Sequence, residues 1–338
     1  MGIDIVIPWV DGSDPAWQAE KRKYLSENSY GDRDERFRDW GLLKYWFRCI
    51  EKNAPWVRKL HFVTCGHIPK WLDVSNPKLN VVNHRDFLPA DSLPCFNCSL
   101  IERYLHRIPD LAEQFVYFND DCFLIGKTDE DFFFKNGLPR DMLAFQPVVA
   151  NPDNPGMTHL FQNDILVLSK YFDKRRNVKE HPFNYFHIGY PAIYFFYNML
   201  ELAFPRFTGL YSIHNASAFL KSSYVRVWEK ESGYLEKLNV NRFRADTDVN
   251  QYLFREWGKL EGNFIPSDIA RHMMYSELSD DNRAIFKFIS LGRKGMFGPS
   301  IKCLCINDTG LVSDFERVRE ELALAFESVY NEKSSFEK

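Results

Sequence analysis

The chain has 338 residues, of which 45% are hydrophobic, and its 43 Lys and Arg against 46 Asp and Glu give a net charge of −3. This length and composition predict a globular protein with a large core. The nearly balanced charge argues against a nucleic-acid-binding protein, which carries a strongly basic domain or stripe. We therefore expect no nucleic-acid partner, and any anionic substrate must meet a local cluster of Arg and Lys.

We expect neither a signal peptide nor a membrane-spanning segment. The apolar run at residues 3–10 is too short for a signal peptide, and no stretch reaches about 18 uncharged apolar residues. The odd number of cysteines, seven, favours a reducing compartment, so we expect a cytoplasmic protein. The pairs Cys95/Cys98 and Cys303/Cys305 could form a zinc site, and buried free thiols are the alternative.

The first third of the chain opens with a strand and a helix. Residues 3–10 are apolar and β-branched and run into an Asp-Gly-Ser-Asp-Pro turn, which is typical of a buried strand. The helix that follows is predicted to have Asp39 as its N-cap and Pro55 beyond its end. Its apolar residues at helical spacing are Trp40, Leu43, Phe47 and Ile50.

Further strands are predicted at residues 60–64, 79–82 and 115–118, with a helix at 99–108 between the last two. Strands that alternate with helices indicate a parallel sheet. We therefore predict an α/β fold with a mostly parallel sheet and helices on both faces.

The second half of the chain is less regular. Residues 150–156 hold three Pro or Gly among Asn and Asp, so we place a division there, between halves 1–149 and 150–338 of one domain that spans residues 1–338. The aromatic-rich segment 183–207 is expected to be helical only in part, because Pro191 and Pro205 interrupt it. It suits a core helix, an acceptor-binding surface or a lipid-contacting face.

A C-terminal helix is predicted to pack against the sheet. Ser313 and Glu316 form a capping-box pattern at its start, and the polar tail after Tyr330 is expected to fray. The apolar stripe of this helix consists of Phe315, Val318, Leu322, Phe326 and Val329.

Two polar turns follow predicted strands, at residues 9–14 and at Asn119-Asp120-Asp121. Ligands of open α/β sheets bind outside the carboxyl ends of the strands. Adjacent carboxylates there can hold Mg²⁺, which prefers oxygen ligands, although an ordinary polar turn has the same composition.

Two further clusters carry polar groups. His214 precedes the pair Arg242 and Arg244, which at i, i+2 on an extended segment would point the same way toward phosphate; a surface ion-pair face is the alternative. Asn307 and Asp308 follow another apolar run. GxGxxG, Walker, GxSxG and HExxH motifs are absent, which argues against the simplest dinucleotide, P-loop, hydrolase and zincin interpretations.

A set of spaced sequence blocks recurs along the chain. They include IDIV at 3–6, WVDGSDP at 9–15, RFRD at 36–39, LKY at 43–45, APWVR at 54–58, PKWL at 69–72, FN at 96–97, IE at 101–102, HRIP at 106–109, FNDD at 118–121, His214, RFR at 242–244 and ND at 307–308. The pattern resembles the Stealth family, most specifically in the first 125 residues. Cys95 and Cys98 depart from it, because Thr and Ser are expected there.

The resemblance implies a sugar-phosphate transferase with a Rossmann-like core that binds a nucleotide sugar. Such an enzyme moves a hexose-1-phosphate, N-acetylhexosamine-1-phosphate included, from a UDP-sugar to an acceptor hydroxyl, forms a phosphodiester and releases UMP. The chain lacks the long insertions of the animal members, so the implied acceptor is a bacterial capsular or cell-surface glycan. A lipid-linked acceptor would bring the enzyme to the inner face of the membrane.

The resemblance also implies roles for individual residues. Mg²⁺ or Mn²⁺ is expected on Asp120, Asp121, Asn307 and Asp308. The expected catalytic residues are Asp121, Arg242, Arg244 and His214. The imidazole of His214 is expected to have a near-neutral pKa and to act as the base. The nucleotide sugar is expected to contact Trp9, Val10, Asp11, Gly12, Arg38, Lys44 and Asn119.

Two other functions fit the same residues. A metal-dependent glycosyltransferase also uses a UDP-sugar and an acidic strand end, but it releases UDP. A non-catalytic glycan-binding protein would use the many Trp and Tyr rings for stacking on sugars.

Overall fold

The structure is a computed structural model and describes residues 2–25, 33–152, 154–292 and 299–338. The strands are β1 Asp4–Pro8, β2 Leu60–Thr64, β3 Leu79–Asn83, β4 Gln114–Tyr117, β5 Cys122–Leu124, β6 Phe134–Lys135, β7 Leu138–Asp141, β8 Ser217–Leu220, β9 Ile265–Pro266, β10 Met273–Glu277 and β11 Cys303–Asn307. The helices are α1 Pro15–Lys23, α2 Leu43–Asn53, α3 Cys98–Arg103, α4 Pro155–Tyr171, α5 Lys174–Glu180, α6 Pro182–Tyr185, α7 Ala192–Glu201, α8 Lys221–Lys237, α9 Gln251–Leu260, α10 Arg283–Leu291 and α11 Phe315–Glu327.

The central sheet has five strands in the order β3-β2-β1-β4-β8. The pairs β3-β2, β2-β1 and β1-β4 are parallel, and β8 is antiparallel to β4. The chain adds β2 and β3 on one side of β1 and β4 on the other, so the strand order reverses between β1 and β4. The predicted α/β fold with a mostly parallel sheet is confirmed.

Helices cover both faces of this sheet. Successive side chains of a strand point to opposite faces, so an apolar strand gives each face a surface for a helix to bury. Ile5 and Ile7 of β1 pack in one core with Trp46 of α2, whereas Val6 packs in the other with Phe254 of α9. These three β1 side chains are fully buried. A strand that is apolar on both faces is typical of a parallel sheet between two helical layers.

A smaller sheet, in the order β10-β11-β5, continues from the end of β4. β5 begins five residues after β4 ends and pairs antiparallel with β11, with Cys122 opposite Cys305. A third sheet has the order β6-β7-β9. Its strands β6 and β7 follow β5 in the chain, and β9 pairs with β7 in parallel. The second sheet therefore brings the C-terminal strand to the end of β4.

Two predicted helix caps are wrong. α2 begins after Leu42, and Asp39 instead accepts a hydrogen bond from the N–H of Gly41 in a local turn. α11 is capped by Asp314, whose side chain accepts from the N–H of Arg317, whereas Ser313 bonds to Asp280. Asp and Ser bond readily to nearby backbone or partners, so several positions can compete for one cap.

Two predicted segments differ in extent. The helix predicted at 99–108 is α3, which ends at Arg103 and is followed by a 3₁₀ turn at Leu105–Arg107. The tail after Tyr330 is not frayed, because Phe336 is buried against Phe47 with ring centroids 5.3 Å apart. Glu337 also accepts hydrogen bonds of 2.8 and 2.9 Å from Arg48 of α2.

The aromatic-rich segment 183–207 is helical in part, as predicted, and contributes α7 and the end of α6. Pro191 precedes the first residue of α7. Among the described residues, no helix is long and apolar enough to cross a membrane.

The burial of the C-terminal tail predicts that Phe336 contributes strongly to stability. Phe336→Ala should lower the free energy of unfolding by about 3–5 kcal/mol, because it leaves a cavity beside Phe47. Urea denaturation followed by tryptophan fluorescence measures the change. Phe183→Ala is the matched control, because that ring is 79% exposed; equal stability of the two variants would contradict the packing of the tail.

Candidate active site

A deep cleft opens at the carboxyl ends of β1 and β4, where the strand order reverses. Its volume of about 870 Å³ lies in the ~300–1,000 Å³ range of small-molecule and cofactor sites. Residues that follow β1, β4 and β11 meet on its walls. The predicted site residues that line it are Trp9, Val10, Arg38, Asn119, Asp120, Asp121, His214, Arg244, Asn307 and Asp308.

The reversed direction of β8 brings His214 to this edge. Because β8 is antiparallel to β4, with Tyr117 opposite Ser217, the residues just before β8 lie beside those just after β4. His214 Nε2 is 3.2 Å from Asp121 Oδ2. Asn119 Nδ2 lies 3.5 Å from His214 Nδ1. The turn after β4 and the loop before β8 thus form one polar cluster.

The two groups of this ion pair stabilise each other's charged form. Desolvation alone would lower the pKa of His214, but the charge of Asp121 and its hydrogen bond raise that pKa well above the ordinary value. Desolvation likewise opposes the charge of Asp121, but His214 outweighs it and lowers the pKa of Asp121. This arrangement favours the imidazolium form of His214, whose pKa lies above the near-neutral value that we predicted.

The pKa of Asp120 is shifted in the opposite direction to that of Asp121. Desolvation in the cleft and the adjacent charge of Asp121 raise the pKa of Asp120 to about 7. In the part of the chain that the structure describes, no side chain donates a hydrogen bond to the Asp120 carboxylate. Its oxygens are thus left for a ligand, and two adjacent carboxylates that share one imidazolium leave a local excess of negative charge.

The oxygen donors Asp120 and Asp121 fit a divalent cation such as Mg²⁺ or Mn²⁺. Asn307 lies on the cleft wall at the end of β11. Asp308 does not fit the predicted metal role, because its carboxylate accepts two hydrogen bonds of 2.9 Å from Arg38 and another from Trp40. Asp308 instead fixes the position of the Arg38 guanidinium.

Sulfur also lies near Asp121. The thiols of Cys122 and Cys305 join Asp121 and His214 in a group whose ligand atoms are within 4.8 Å of one another. This is a softer donor set, of the kind that favours Zn²⁺ over Mg²⁺. The predicted zinc pairs Cys95/Cys98 and Cys303/Cys305 do not form such a group among the described residues, because Cys305 is instead opposite Cys122 of β5.

The two predicted phosphate-binding arginines diverge. Arg244 lines the cleft and donates a 2.6 Å hydrogen bond to the Cys98 thiol. Arg242 points away and donates to the carbonyls of Asp91 and Leu93. The segment is irregular rather than an extended strand, so i, i+2 spacing does not align the two guanidiniums. Arg244 alone of this pair is placed to meet a ligand in the cleft.

Only part of the turn after β1 lines the cleft. Trp9 and Val10 line the cleft, whereas Asp11 and Gly12 are not part of its wall. The N–H of Asp11 donates to Nδ1 of His67. A Cβ atom on Gly12 would lie 1.7 Å from the carbonyl oxygen of Phe37, so only glycine allows this approach.

Lys44 lies outside the cleft wall, on α2. Its ammonium is 4.7 Å from the centroid of the Tyr45 ring. The helix therefore directs this predicted phosphate ligand away from the site.

Several cleft residues were not predicted. Glu102 is buried in the wall and accepts hydrogen bonds of 3.2 Å from Tyr117 and from the N–H of Gln251, and burial raises its pKa. Desolvation raises the pKa of Asp39. The other unpredicted charged or aromatic residues of the wall include Arg33, Arg36, Tyr252, Tyr275 and Glu277. A sequence signal existed for Arg36 and Asp39, which belong to the RFRD block, and for Glu102, which belongs to the IE block at 101–102.

The cleft at the switch point of a parallel sheet, with its converging charged groups, defines an enzyme of the α/β class. Comparison with known proteins agrees with this class. Residues 36–141 match conserved region 2 of Stealth proteins, and residues 1–29 match conserved region 1.

Three relatives align over almost the whole chain. The capsular polysaccharide phosphotransferase WcwK of Streptococcus pneumoniae is 36% identical over 339 residues, which are 99% of this chain and 98% of the relative. The receptor polysaccharide phosphotransferase WefC of Streptococcus oralis is 35% identical over 341 residues, 99% of each chain. The exopolysaccharide phosphotransferase cps2G of Lactiplantibacillus plantarum is 35% identical over 341 residues, 99% of this chain and 96% of the relative.

The chain belongs to the Stealth family, and the predicted membership is confirmed. It is a phosphotransferase, as predicted. The non-catalytic alternative is thereby set aside.

The ion pair between Asp121 and His214 predicts a large change in the pKa of His214. In Asp121→Asn the carboxylate charge is lost while desolvation remains, so the pKa of the His214 imidazole should fall well below its wild-type value. A pH titration of the His214 ring resonances by NMR measures this. Asp308→Asn is the control, because that carboxylate bonds to Arg38 and not to His214; an unchanged His214 pKa in Asp121→Asn would contradict the ion pair.

Proposed function

We propose that the protein transfers a hexose-1-phosphate, N-acetylhexosamine-1-phosphate included, from a UDP-sugar to a glycan hydroxyl. A phosphodiester forms and UMP leaves. The observation that carries this proposal is the cleft itself, in which Asp120, Asp121, His214 and Arg244 converge at the switch point of the sheet. Attack on a diphosphate needs charge neutralisation, positioning and removal of a proton, and these groups match those needs.

The donor is proposed to lie along the ends of β1 and β4. Nucleotides bind at the switch point of open α/β sheets. Trp9 offers a ring there whose position is fixed by stacking on Phe62, with centroids 5.8 Å apart. Arg244 on the cleft wall would bind the diphosphate, and its planar fork suits phosphate oxygens better than an ammonium does.

The metal of this proposal is Mg²⁺ or Mn²⁺ on Asp120 and Asp121. Such a cation would offset the charge of the diphosphate and the carboxylate charge that keeps His214 protonated. The raised pKa of Asp120 agrees with an anionic pair that needs a counter-charge.

His214 is proposed as the group that accepts the proton of the acceptor hydroxyl. Its Nε2 faces Asp121 Oδ2 at 3.2 Å, so the carboxylate orients the ring and stabilises the imidazolium that forms. With a cation on Asp121, this carboxylate would hold the resting proton of His214 less strongly, and that proton would leave to solvent through the partly exposed ring. The neutral imidazole would then accept the proton of the acceptor hydroxyl. Asn119, 3.4 Å from Nε2, helps to fix the ring.

The acceptor is proposed to be an oligosaccharide or polysaccharide of a bacterial capsule or cell surface. The names of the aligned relatives support this, because each is a polysaccharide phosphotransferase. We propose a cytoplasmic location, where nucleotide sugars are made, and a lipid-linked glycan as one form of the acceptor. The balanced charge of the chain gives no support for a nucleic-acid partner.

The proposed bond cleavage differs from that of a glycosyltransferase. Attack at phosphorus leaves the sugar C1–O bond intact, so the product should contain a phosphodiester by ³¹P NMR and UMP should be the nucleotide released. Incubation with a panel of UDP-sugars and a glycan acceptor, with chromatography of the nucleotides, tests this. His214→Ala is the control, and it should be slower by roughly 10²–10⁴-fold. UDP as the sole nucleotide product would contradict the proposal.

The metal proposal predicts that turnover is lost in excess chelator and restored by Mg²⁺ or Mn²⁺. Asp120→Asn should weaken the apparent affinity for Mg²⁺ in activity titrations, because it removes one carboxylate of the pair. Asp73→Asn is a matched control, since that carboxylate accepts from Ser75 in a turn of the same kind and Asp73 does not line the cleft. Full activity of the wild type in chelator would contradict the metal-assisted reaction.

A further inference from the structure

The segment 182–206 carries an unusual concentration of exposed apolar side chains, which we name the aromatic surface. They are Phe183, Ile188, Ile193, Phe196, Tyr197, Met199, Leu200, Leu202 and Phe204. Ile188 is 94% exposed and Phe183 79%. Contiguous exposed apolar surfaces of this kind mark sites of protein or membrane interaction.

The aromatic surface exposes no acidic side chain. Glu201 is the one carboxylate in 182–206, and it is buried, where it accepts hydrogen bonds from Lys174 Nζ at 3.1 Å and Thr208 Oγ1 at 2.7 Å. Lys174 Nζ also donates to the carbonyl of Arg206, which places the start of α5 beside the end of α7. Exposed cations, Arg175 and Arg206, therefore edge the apolar side chains.

A cationic pocket lies at another edge of this surface. The loop that carries Ile188 contributes His187 and Gly189 to a pocket of about 310 Å³. Arg140, Arg271 and His272 line the same pocket, with Asp268 as its carboxylate. Arg271 is exposed. Positive groups next to an apolar surface are the arrangement that binds a phosphate headgroup above its acyl chains.

We infer that the aromatic surface and the adjacent cationic pocket dock the protein onto an anionic phospholipid bilayer. The apolar side chains would enter the headgroup and acyl boundary, while Arg206 and Arg271 would meet lipid phosphates. A second copy of the chain is a poorer occupant. A two-fold contact would bring the same cationic edges together, and Asp268 is the one carboxylate in the pocket lining to offset Arg140 and Arg271.

Vesicle co-sedimentation tests the inference. The wild-type protein should bind vesicles that contain phosphatidylglycerol more tightly than pure phosphatidylcholine vesicles, and added salt should weaken binding. Ile188→Ser with Phe196→Ser should reduce binding by roughly 10-fold for each side chain removed from the bilayer. Arg206→Glu with Arg271→Glu should remove the preference for anionic vesicles.

The matched control is Leu324→Ser, because that side chain is 70% exposed on α11, outside the aromatic surface. It should bind vesicles like the wild type. Binding that is unaffected by the double serine variant, or absent with anionic vesicles, would overturn the inference. A dimer in sedimentation velocity that this variant dissolves, with vesicle binding unchanged, would assign the surface to a second copy instead.

The outcome of the vesicle-binding test does not depend on the proposed phosphotransfer reaction. The substituted residues lie outside the cleft wall, so the serine variant should keep wild-type turnover with a water-soluble acceptor and a wild-type melting temperature. Lost turnover together with a lowered melting temperature would show unfolding; Phe183→Ser, at a more exposed ring, then provides the second measurement of vesicle binding.

Discussion

The antiparallel pairing of β8 with β4 is the constraint on which the cleft depends. The four parallel strands end at one edge of the sheet, and only a reversed strand begins there. His214, three residues before β8, therefore lies beside Asp121, four residues after β4. A parallel β8 of four residues would begin at the opposite edge, about 13 Å away at ~3.3 Å per residue. The direction of one short strand thus decides whether the ion pair forms.

The second sheet adds a further restraint on the same turn. The N–H of Ile306 donates to the carbonyl of Asp121 at 2.8 Å, and β5 and β11 pair directly after it. Asp120 and Asp121 are thus held between two sheets, although adjacent carboxylates repel each other. His214 neutralises Asp121 in part, while desolvation and the charge of Asp121 together raise the pKa of Asp120. Such unrelieved electrostatic cost is typical of groups placed for binding or catalysis.

Sequence patterns identified the elements whose partners are local or periodic. The strands followed from apolar runs, and the Asn119-Asp120-Asp121 turn from its position at a strand end. The resemblance to the Stealth family added the role of His214. Neither source could place Asp308, because its partner Arg38 is 270 residues away in sequence. The prediction that the tail after Tyr330 frays was wrong for the same reason, because the partners Arg48 and Glu337 are 289 residues apart in sequence.

The arginine pair shows another limit of pattern analysis. Spacing of i, i+2 aligns two side chains only on an extended strand, and residues 241–245 are irregular. Arg242 bonds to loop carbonyls, so only Arg244 enters the cleft. The surroundings of Arg244 could not be predicted either, because Cys98 reaches it from α3.

The chain between the aromatic surface and His214 is short, and it is buried at Phe207, Gly209 and Leu210 and half-buried elsewhere. Leu210 forms a bridge with Phe145, and the N–H of Tyr211 donates to the carbonyl of Ala144 at 2.9 Å. Ser212 Oγ then donates to Glu256 of α9 at 2.8 Å. These bonds fix the segment that leads from α7 to the cleft. Docking of α7 on a bilayer would therefore also fix the orientation of the cleft relative to that bilayer, which favours an acceptor presented from a constant direction.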